Sequence, residues 1–454
     1  MTMKEMKNAA RRVIVVGMGI SGRSVCELLL EQDRQVVATD IRPRDQFNGA
    51  LDGLEEKGCL LRLGTHSVED FLAADQIIVS PGVPLDIEPL EKAAGKGIEI
   101  IGELEWAWRQ VHVPVVAVTG TNGKTTTTSL IGEMLRASGK NAFVGGNIGT
   151  PLSKWLLDSR AADVLVLEVS SFQLDTATQF SPEVAVLLNI TEDHLDRYDG
   201  YSGYVHSKWS LFARQHPTDT AIINADDPAC LEGSSAIRSR PLLFGRRSSP
   251  VQAAILGREI EVNVPWRPPF VVSLDDVPLK GFHNEENMAA AILASAVMGA
   301  DAGTIQEVAR SYRGLPHRVE WVRTWRGIDF YDDSKGTNVG AVVKAIENFN
   351  RPILLLLGGR DKLGSYRPLG EALQASGKGA FVFGEAGPRI HQELEKWLPS
   401  RLFGDLESAF EEVLNHAVSG DVVLLSPACS SFDQYESYAQ RGDHFKHLVM
   451  QLYD

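Results

Sequence analysis

The stretch "VVAVTGTNGKTTT", residues 115–127, decides the fold. Its first five residues have the length and character of a buried strand. A glycine-rich turn follows, and after it comes "TTTTSLIGEMLRASG", whose apolar spacing is helical and which Gly139 stops. Strand, glycine turn and helix form the repeating unit of a parallel α/β sheet, whose ligands collect at the carboxyl ends of the strands. A full phosphate loop reads Gly-x-x-x-x-Gly-Lys-[Ser/Thr]. Here Val118 stands in place of the first glycine, and the loop proper starts at Gly120. The chemistry survives this departure. Glycines let backbone N–H groups approach phosphate oxygens, the helix turns its N-terminus to the anion, Lys124 can reach the terminal phosphates, and the Thr125 hydroxyl can ligate Mg²⁺.

Outward from that loop, "ADVLVLEVSSFQL", "PEVAVLLNIT" and "TAIINADDP" read as later strands of the same sheet, and their polar ends carry Glu168, Asn189 and Asn224 beside Thr119. Mg²⁺ takes hard oxygen ligands and usually one or two carboxylates, which points to Glu168. In "TEDHLDRY", His194 lies among acids after a strand and is either a second metal's ligand or a loop cap. Lys208 has Tyr204, Leu211 and Phe212 as its helical neighbours, so it lies on an apolar face. An ammonium there either snorkels to solvent or must be paired or neutralised. Residues 236–280 show short alternating runs consistent with an antiparallel edge, and "NEENMAAAILASAVMG" is a helix.

Upstream, "RVIVV", "GMGISG" (17–22), a helix and "QVVATD" ending at Asp40 make a βαβ start with a dinucleotide-type fingerprint. Such a site would take NAD, the acid holding a ribose hydroxyl. Yet Arg42 signals a nearby anionic group, the domain closes after about 100 residues, and the helix N-terminus equally suits the pyrophosphate of a UDP-sugar. Downstream of "GLPHRVEWV", "IDFYDDSKGTN", "ILLLLGGRDK", "AFVFG" and "VVLLSPACSSFDQY" alternate with helices as a second doubly wound sheet. The whole is an α/β chain of three domains: a Rossmann-like N-terminal domain at 1–105, a central P-loop-type ATPase α/β domain at 106–312, and a C-terminal Rossmann-like domain at 313–454.

A formal net charge of −14 over 454 residues argues against nucleic-acid or membrane-surface binding and for small anionic ligands. Four cysteines far apart without CxxC spacing indicate neither a disulfide framework nor a zinc site and fit a reducing cytoplasm. The short apolar run after the basic N-terminus breaks into glycines without a cleavage site, so it reads as a strand and not as a signal peptide.

Taken in order, "GMGISG", "SPGVP", "TGTNGKTTT", "GGNIG", "LEVSSFQL", "NITEDHLDRY", the lysine of "HSKWSLF", "HNEEN", "LPHRVE", "DDSKGTN", "LLGGRDK" and "SPACSSFDQYESYAQRG" resemble the Mur ligases over nearly the whole chain. "GTNGKTT" is shared with folate-polyglutamate ligases; "EVSSFQL" and "SPACSSFDQ" point to the D-glutamate-adding branch. The resemblance implies an ATP- and Mg²⁺-dependent amide-forming ligase of peptidoglycan precursor synthesis. It would phosphorylate the carboxylate of UDP-N-acetylmuramoyl-L-alanine and let the amine of D-glutamate attack the acyl phosphate. It further implies that Gly120, Asn122, Gly123, Lys124, Thr125, Thr126, Asn284, Asn287, Arg318, Asp333 and Lys335 hold ATP. Thr125, Glu168, His194 and Lys208, the last as a carbamate, hold metal, and Lys124, Glu168, His194 and Lys208 form the catalytic group. Ile20, Ser21, Asp40, Arg42, Gly82 and Asn147 match the UDP-substrate site, and Lys362, Ser431 and Tyr438 the D-glutamate site. Arg360 stands where some members carry an acid. A cytoplasmic monomer is expected, without nucleic-acid partners or membrane insertion.

Overall fold

The computed structural model describes residues 12–159, 161–193, 197–246, 251–279, 281–360 and 365–453. The chain divides into two compact units, Met1–Tyr312 and Arg313–Asp454.

The first unit holds two sheets. In the five-stranded one every pairing is parallel, in the spatial order Leu60–Leu63, Gln35–Asp40, Arg12–Val16, Gln76–Val79, Glu99–Gly102. The helix Ile20–Glu31 starts directly after the first strand, which places its N-terminus and the 17–19 turn at the carboxyl edge of the sheet. Leu60–Leu63 escaped the sequence reading because it sits at the edge with alternating exposure, so it lacks the unbroken apolar run of a central parallel strand.

The nine-stranded sheet runs Phe270–Ser273, Glu259–Val262, Ala253–Leu256, Arg240–Gly245, Thr220–Asn224, Val184–Leu187, Val115–Thr119, Val164–Glu168, Ala142–Gly146. From Ala142–Gly146 through Ala253–Leu256 the pairings are parallel, and the last two are antiparallel. Of the stretch expected as an antiparallel edge, Arg240–Gly245 instead continues the parallel sheet, and only Glu259–Val262 and Phe270–Ser273 append antiparallel strands after Ala253–Leu256. The strand Val115–Thr119 is buried at all five positions, as its continuous apolar sequence demands.

The stretch between the sheets is no exposed tether. Glu103–Trp108 is a helix with five of its six residues buried. Its Leu104, Trp106 and Ala107 join one hydrophobic cluster with Val13 of the first sheet, Met18 of the turn after it, Leu165 of the second sheet, and Leu152 and Trp155 of the helix Leu152–Leu157. The buried Glu103 carboxylate accepts the Ser153 N–H at 2.7 Å, at the start of the helix Leu152–Leu157.

In the second unit, six strands run Glu320–Trp325, Ile328–Asp332, Val422–Leu425, Ile353–Gly358, Gly377–Phe383, Ser400–Leu402, parallel except for the first pair. The carboxyl ends of Ile328–Asp332, Val422–Leu425 and Ile353–Gly358 lie side by side, which gathers "DSK", "SPACSS" and "GGR".

Candidate active site

The glycine loop leaves Val115–Thr119 between Val164–Glu168 and Val184–Leu187, so polar ends of both neighbours flank it. Gly120 and Gly123 have φ of +151° and +83°, conformations that glycine adopts without penalty. A Cβ on Gly123 would stand 2.0 Å from Asn287 Oδ1, so the helix Phe282–Val297 is seated directly on the loop. Asn287 also accepts from Thr127 Oγ1 and donates to Asn284 Oδ1, each at 3.4 Å. Thr126 is half-buried in the first turn of the helix Lys124–Ala137. Asn189 supports the loop from the other side. Its carbonyl accepts from Thr121 N at 2.9 Å, its Oδ1 accepts from Asn122 N at 2.8 Å, and its Nδ2 donates to Asn122 O at 3.1 Å.

Thr125 donates to Glu168 Oε2 at 2.7 Å, and Asn147 Nδ2 donates to Oε1 at 2.8 Å. Asn147, expected at the acceptor site, therefore orients the carboxylate paired with Thr125. Lys124 curls over the loop and donates to the carbonyls of Gly120 and Thr121 at 2.8 and 2.9 Å.

Lys208 does not snorkel. It is 1% exposed, donates to Gly120 O at 2.9 Å, and lies 4.6 Å from the centre of the Tyr204 ring. Burial, reinforced by the charge of Lys124, lowers its ammonium pKa to about 7. The Tyr204 hydroxyl, 3.2 Å from Thr121 Oγ1, is pushed up to about 12 by burial. Thr125, Glu168, Lys124 and Lys208 thus converge on one loop, while His194 lies outside the described residues.

At the first loop, Gly17 has φ +89°, and a Cβ on Gly22 would fall 1.9 Å from Gly17 O, which explains the two glycines at the turn and at the helix. Ile20 and Ser21 open the helix, Ile20 being exposed. Asp40 is buried and accepts from Met18 N at 2.7 Å; Arg42 holds it with Nε and Nη2 at 3.0 and 2.8 Å. Burial alone would raise this carboxyl, but the hydrogen bonds from Arg42 and Met18 outweigh it and hold the pKa at about 2. The anion foreseen beside Arg42 is therefore Asp40 itself, and the acid that would grip an NAD ribose is committed to a bidentate ion pair. Gly82 lies in the loop after Gln76–Val79, where Ser80 Oγ donates to Gly17 O at 2.7 Å.

In the second unit, Asp333 is buried at the end of Ile328–Asp332. It accepts from Ser426 Oγ at 2.6 Å and Val319 N at 3.2 Å, and burial pushes it up to about 7 against the lowering pull of Arg318. The Lys335 ammonium is 5.4 Å from the centre of the Tyr438 ring, and the Tyr438 carbonyl accepts from Ser334 Oγ at 2.8 Å. Ser431 is buried, and its carbonyl accepts from Gln434 N and Tyr435 N; the cap of the last helix is Ser437. Arg360 pairs with Glu385, and Lys362 lies outside the described residues. Sequence reading missed Arg441, which is fully buried. It donates to Ser334 Oγ and O, Cys429 O and Gly358 O at 2.9–3.2 Å, stitching the three loops together. An arginine one residue before a glycine in a polar helix start was the available signal. His317, Glu320 and Asp332 bring ligand atoms within 4.8 Å of one another, but Asp332 is hydrogen-bonded to His317 and Glu320 pairs with Lys446, so the group is an internal network.

A cavity of about 500 Å³ lined by Arg12, Arg34 and Lys57 lies at the amino ends of the first sheet's strands, away from both glycine loops.

A parallel sheet with a Gly-Lys-Thr loop, a carboxylate against the loop threonine and a buried lysine defines an ATP-using enzyme of the phosphate-loop class. The chain matches the models for the Mur ligase MurD-like N-terminal domain at residues 11–102, the Mur ligase middle domain at 118–295, and the Mur ligase glutamate ligase domain at 317–429. It is 43% identical over 99% of its length to the UDP-N-acetylmuramoylalanine--D-glutamate ligase of Desulfosudis oleivorans, covering 98% of that protein. It is also 40% identical, over 98% of its length and 99% of the relative, to the ligase of the same name from Geotalea daltonii. Among solved structures, the UDP-N-acetylmuramate-alanine ligase of Thermotoga maritima superposes with a TM-score of 0.57 at 19% identity, covering 97% of this chain and all of that one. This chain belongs to the Mur ligase family. Its fold is the family's three-domain α/β architecture with parallel sheets.

Proposed function

We infer that the chain joins D-glutamate to UDP-N-acetylmuramoyl-L-alanine with hydrolysis of ATP, in peptidoglycan precursor synthesis. The observation that carries this reading is the convergence of Thr125, Glu168, Lys124 and Lys208 on one glycine loop, in a chain 43% identical over 99% of its length to a D-glutamate-adding ligase.

A carboxylate is a poor electrophile, and phosphorylation supplies a leaving group. An acceptor carboxylate oxygen attacks the γ-phosphorus and ADP departs. The amine of D-glutamate then attacks the acyl carbon, phosphate leaves, and the ammonium proton is lost. The protein has to hold several anions together and exclude water. Lys124 is suited to the first task, since its donors now rest on two loop carbonyls and can pass to phosphate oxygens with little movement.

The donor set fits Mg²⁺: a hydroxyl and a buried carboxylate already in contact, with a side-chain amide fixing the carboxylate from behind. Mg²⁺ held by Thr125 and Glu168 would neutralise phosphate charge. A second ion would be held by His194 and by Lys208 as a carbamate. Lys208 suits carbamylation because an amine of pKa about 7 is substantially neutral, hence nucleophilic towards CO₂, at physiological pH. Loop 17–22 with Ile20, Ser21, Asp40, Arg42 and Gly82 would take the UDP handle. The carboxyl edge of the last sheet, with Lys362, Ser431 and Tyr438, would take D-glutamate. Asn284, Asn287, Arg318, Asp333 and Lys335 would complete the ATP site. We place the three domains at 1–105, 106–312 and 313–454 in a cytoplasmic monomer; the four free, buried cysteines fit a reducing compartment.

The test is phosphate release with a panel of acceptors and amino acids. Turnover is expected only with Mg·ATP, UDP-N-acetylmuramoyl-L-alanine and D-glutamate together. Equal rates with L-glutamate, or with an acceptor lacking the L-alanyl carboxylate, would overturn the assignment.

A further inference from the structure

Arg197, of "TEDHLDRY", belongs to neither the phosphate nor the acceptor set, yet it bridges the turn beside the first glycine loop and Phe172 of the central domain. Its Nη2 donates to Val83 O at 2.6 Å and reaches Pro81 O at 3.5 Å, while its Nη1 reaches Gly82 O at 3.4 Å. Its guanidinium carbon lies over the ring of Phe172 of "SSFQL", 4.5 Å from the ring centre. The 80–83 turn on which it rests is anchored to the other glycine loop, because Ser80 donates to Gly17 O and Val83 N closes back on Ser80 O at 3.0 Å. Behind Phe172, the ring of Tyr198 stacks at 6.2 Å. Its hydroxyl donates to Asp175 at 2.8 Å, and Asp175 in turn accepts from Ser207, the neighbour of Lys208. One guanidinium therefore joins the turn that supports Gly17, by way of Phe172, Tyr198 and Asp175, to the helix that carries Lys208.

We propose that Arg197 is a positioning residue that couples acceptor binding at the first sheet to metal binding at the second. When the acceptor's diphosphate settles the 17–22 loop, the 80–83 turn against it is fixed, and the carbonyl edge of that turn fixes Arg197. Through Phe172, Tyr198 and Asp175 this in turn steadies Ser207 and the helix that carries Lys208. A planar fork seated over an aromatic ring suits this task, since it presents several donors at once in a set plane, which a lysine cannot. Coupling free energies of this kind correspond to roughly 5- to 150-fold changes in affinity. The inference rests on the reading of loop 17–22 as the acceptor's diphosphate site.

The experiment measures the Mg²⁺ concentration for half-maximal turnover as a function of UDP-N-acetylmuramoyl-L-alanine in wild type, Arg197→Ala, Arg197→Lys and Phe172→Leu. ATP binding without acceptor and thermal melting are measured in parallel. In wild type, rising acceptor lowers the Mg²⁺ requirement. In Arg197→Ala this dependence is lost and the acceptor KM rises about tenfold, with acceptor-free ATP binding and melting temperature close to wild type. Arg197→Lys and Phe172→Leu fall between. Wild-type linkage in Arg197→Ala would overturn the proposal. So would a variant whose melting temperature and ATP binding fall together with its acceptor affinity, because Arg197 would then be a general structural brace. Failure of wild type to use this acceptor at all would instead strike the functional reading.

Discussion

Lys208 shows how a single side chain can report chemistry through its burial. Taking an ammonium out of water is costly, and among the described residues it meets one accepting carbonyl and an aromatic ring, so its pKa falls to about 7. Lys208→Ala is expected to lower turnover by at least ~100-fold, a loss of about 2.7 kcal/mol in transition-state stabilisation, with partial recovery on adding acetate or another short carboxylic acid that stands in for a carbamate. Full activity in the Ala variant would mark Lys208 as a core residue only. Asp333 gives a second test with the opposite charge. Its folded-state pKa lies near 7 against an ordinary 3.8, so between these values the folded protein keeps a proton that the unfolded chain has released. Its contribution to stability therefore declines as pH rises from about 4 to 7 and is at its least favourable above that. Asp333→Asn removes the titration, and the melting temperature of the variant minus that of wild type should grow between pH 4.5 and 7.5 while activity falls. A difference that stays constant across that range would show that Asp333 remains ionised. Both residues were named from sequence, but neither pKa was readable there, because burial by residues distant in the chain sets it.

At the scale of elements, the glycine loop shows what sequence conveys and what it withholds. The order strand, turn, helix was readable because a central parallel strand is apolar on both faces and Gly-Lys-Thr marks the turn. The close seating of Asn287 on Gly123 was not, since it depends on a helix some 160 residues away. That contact separates two costs of a substitution. Gly139→Ala places a Cβ at φ +85° with nothing within 4 Å, so only the left-handed backbone penalty of roughly 1–2 kcal/mol applies. Gly123→Ala meets φ +83° and Asn287 as well. Urea unfolding should show Gly123→Ala to be the less stable of the two, and only Gly123→Ala should raise the KM for ATP, by about an order of magnitude. Equal behaviour would mean that Asn287 yields freely and does not fix the loop. The edge strands Leu60–Leu63 and Ala142–Gly146 escaped sequence reading for a related reason: half-exposed strands are apolar on alternate positions or end in glycine, and a four- or five-residue run of that kind carries little signal.

For the molecule as a whole, the three-domain α/β architecture was foreseen from alternating strands and helices, whereas the helix Glu103–Trp108 between the first two sheets proved to be core shared by both. Net charge is the whole-chain property with the most direct kinetic consequence. The chain carries −14 overall, while an acceptor with a diphosphate, ATP and D-glutamate are all anions. Local cations such as Lys124 and Arg42 act at contact distance, but an approaching anion first meets the summed acidic field. The Debye length shrinks from about 30 Å at 0.01 M salt to about 8 Å at 0.15 M, so added salt screens the long-range repulsion more than the buried contacts. Raising ionic strength over this range with a chloride salt, at fixed free Mg²⁺, is therefore expected to lower the acceptor KM with kcat nearly unchanged. Arg42→Ala should raise the KM at every salt concentration without altering the sign of the trend. A KM that climbs with salt in wild type would show that the basic groups around the loops, and not the acidic exterior, govern encounter.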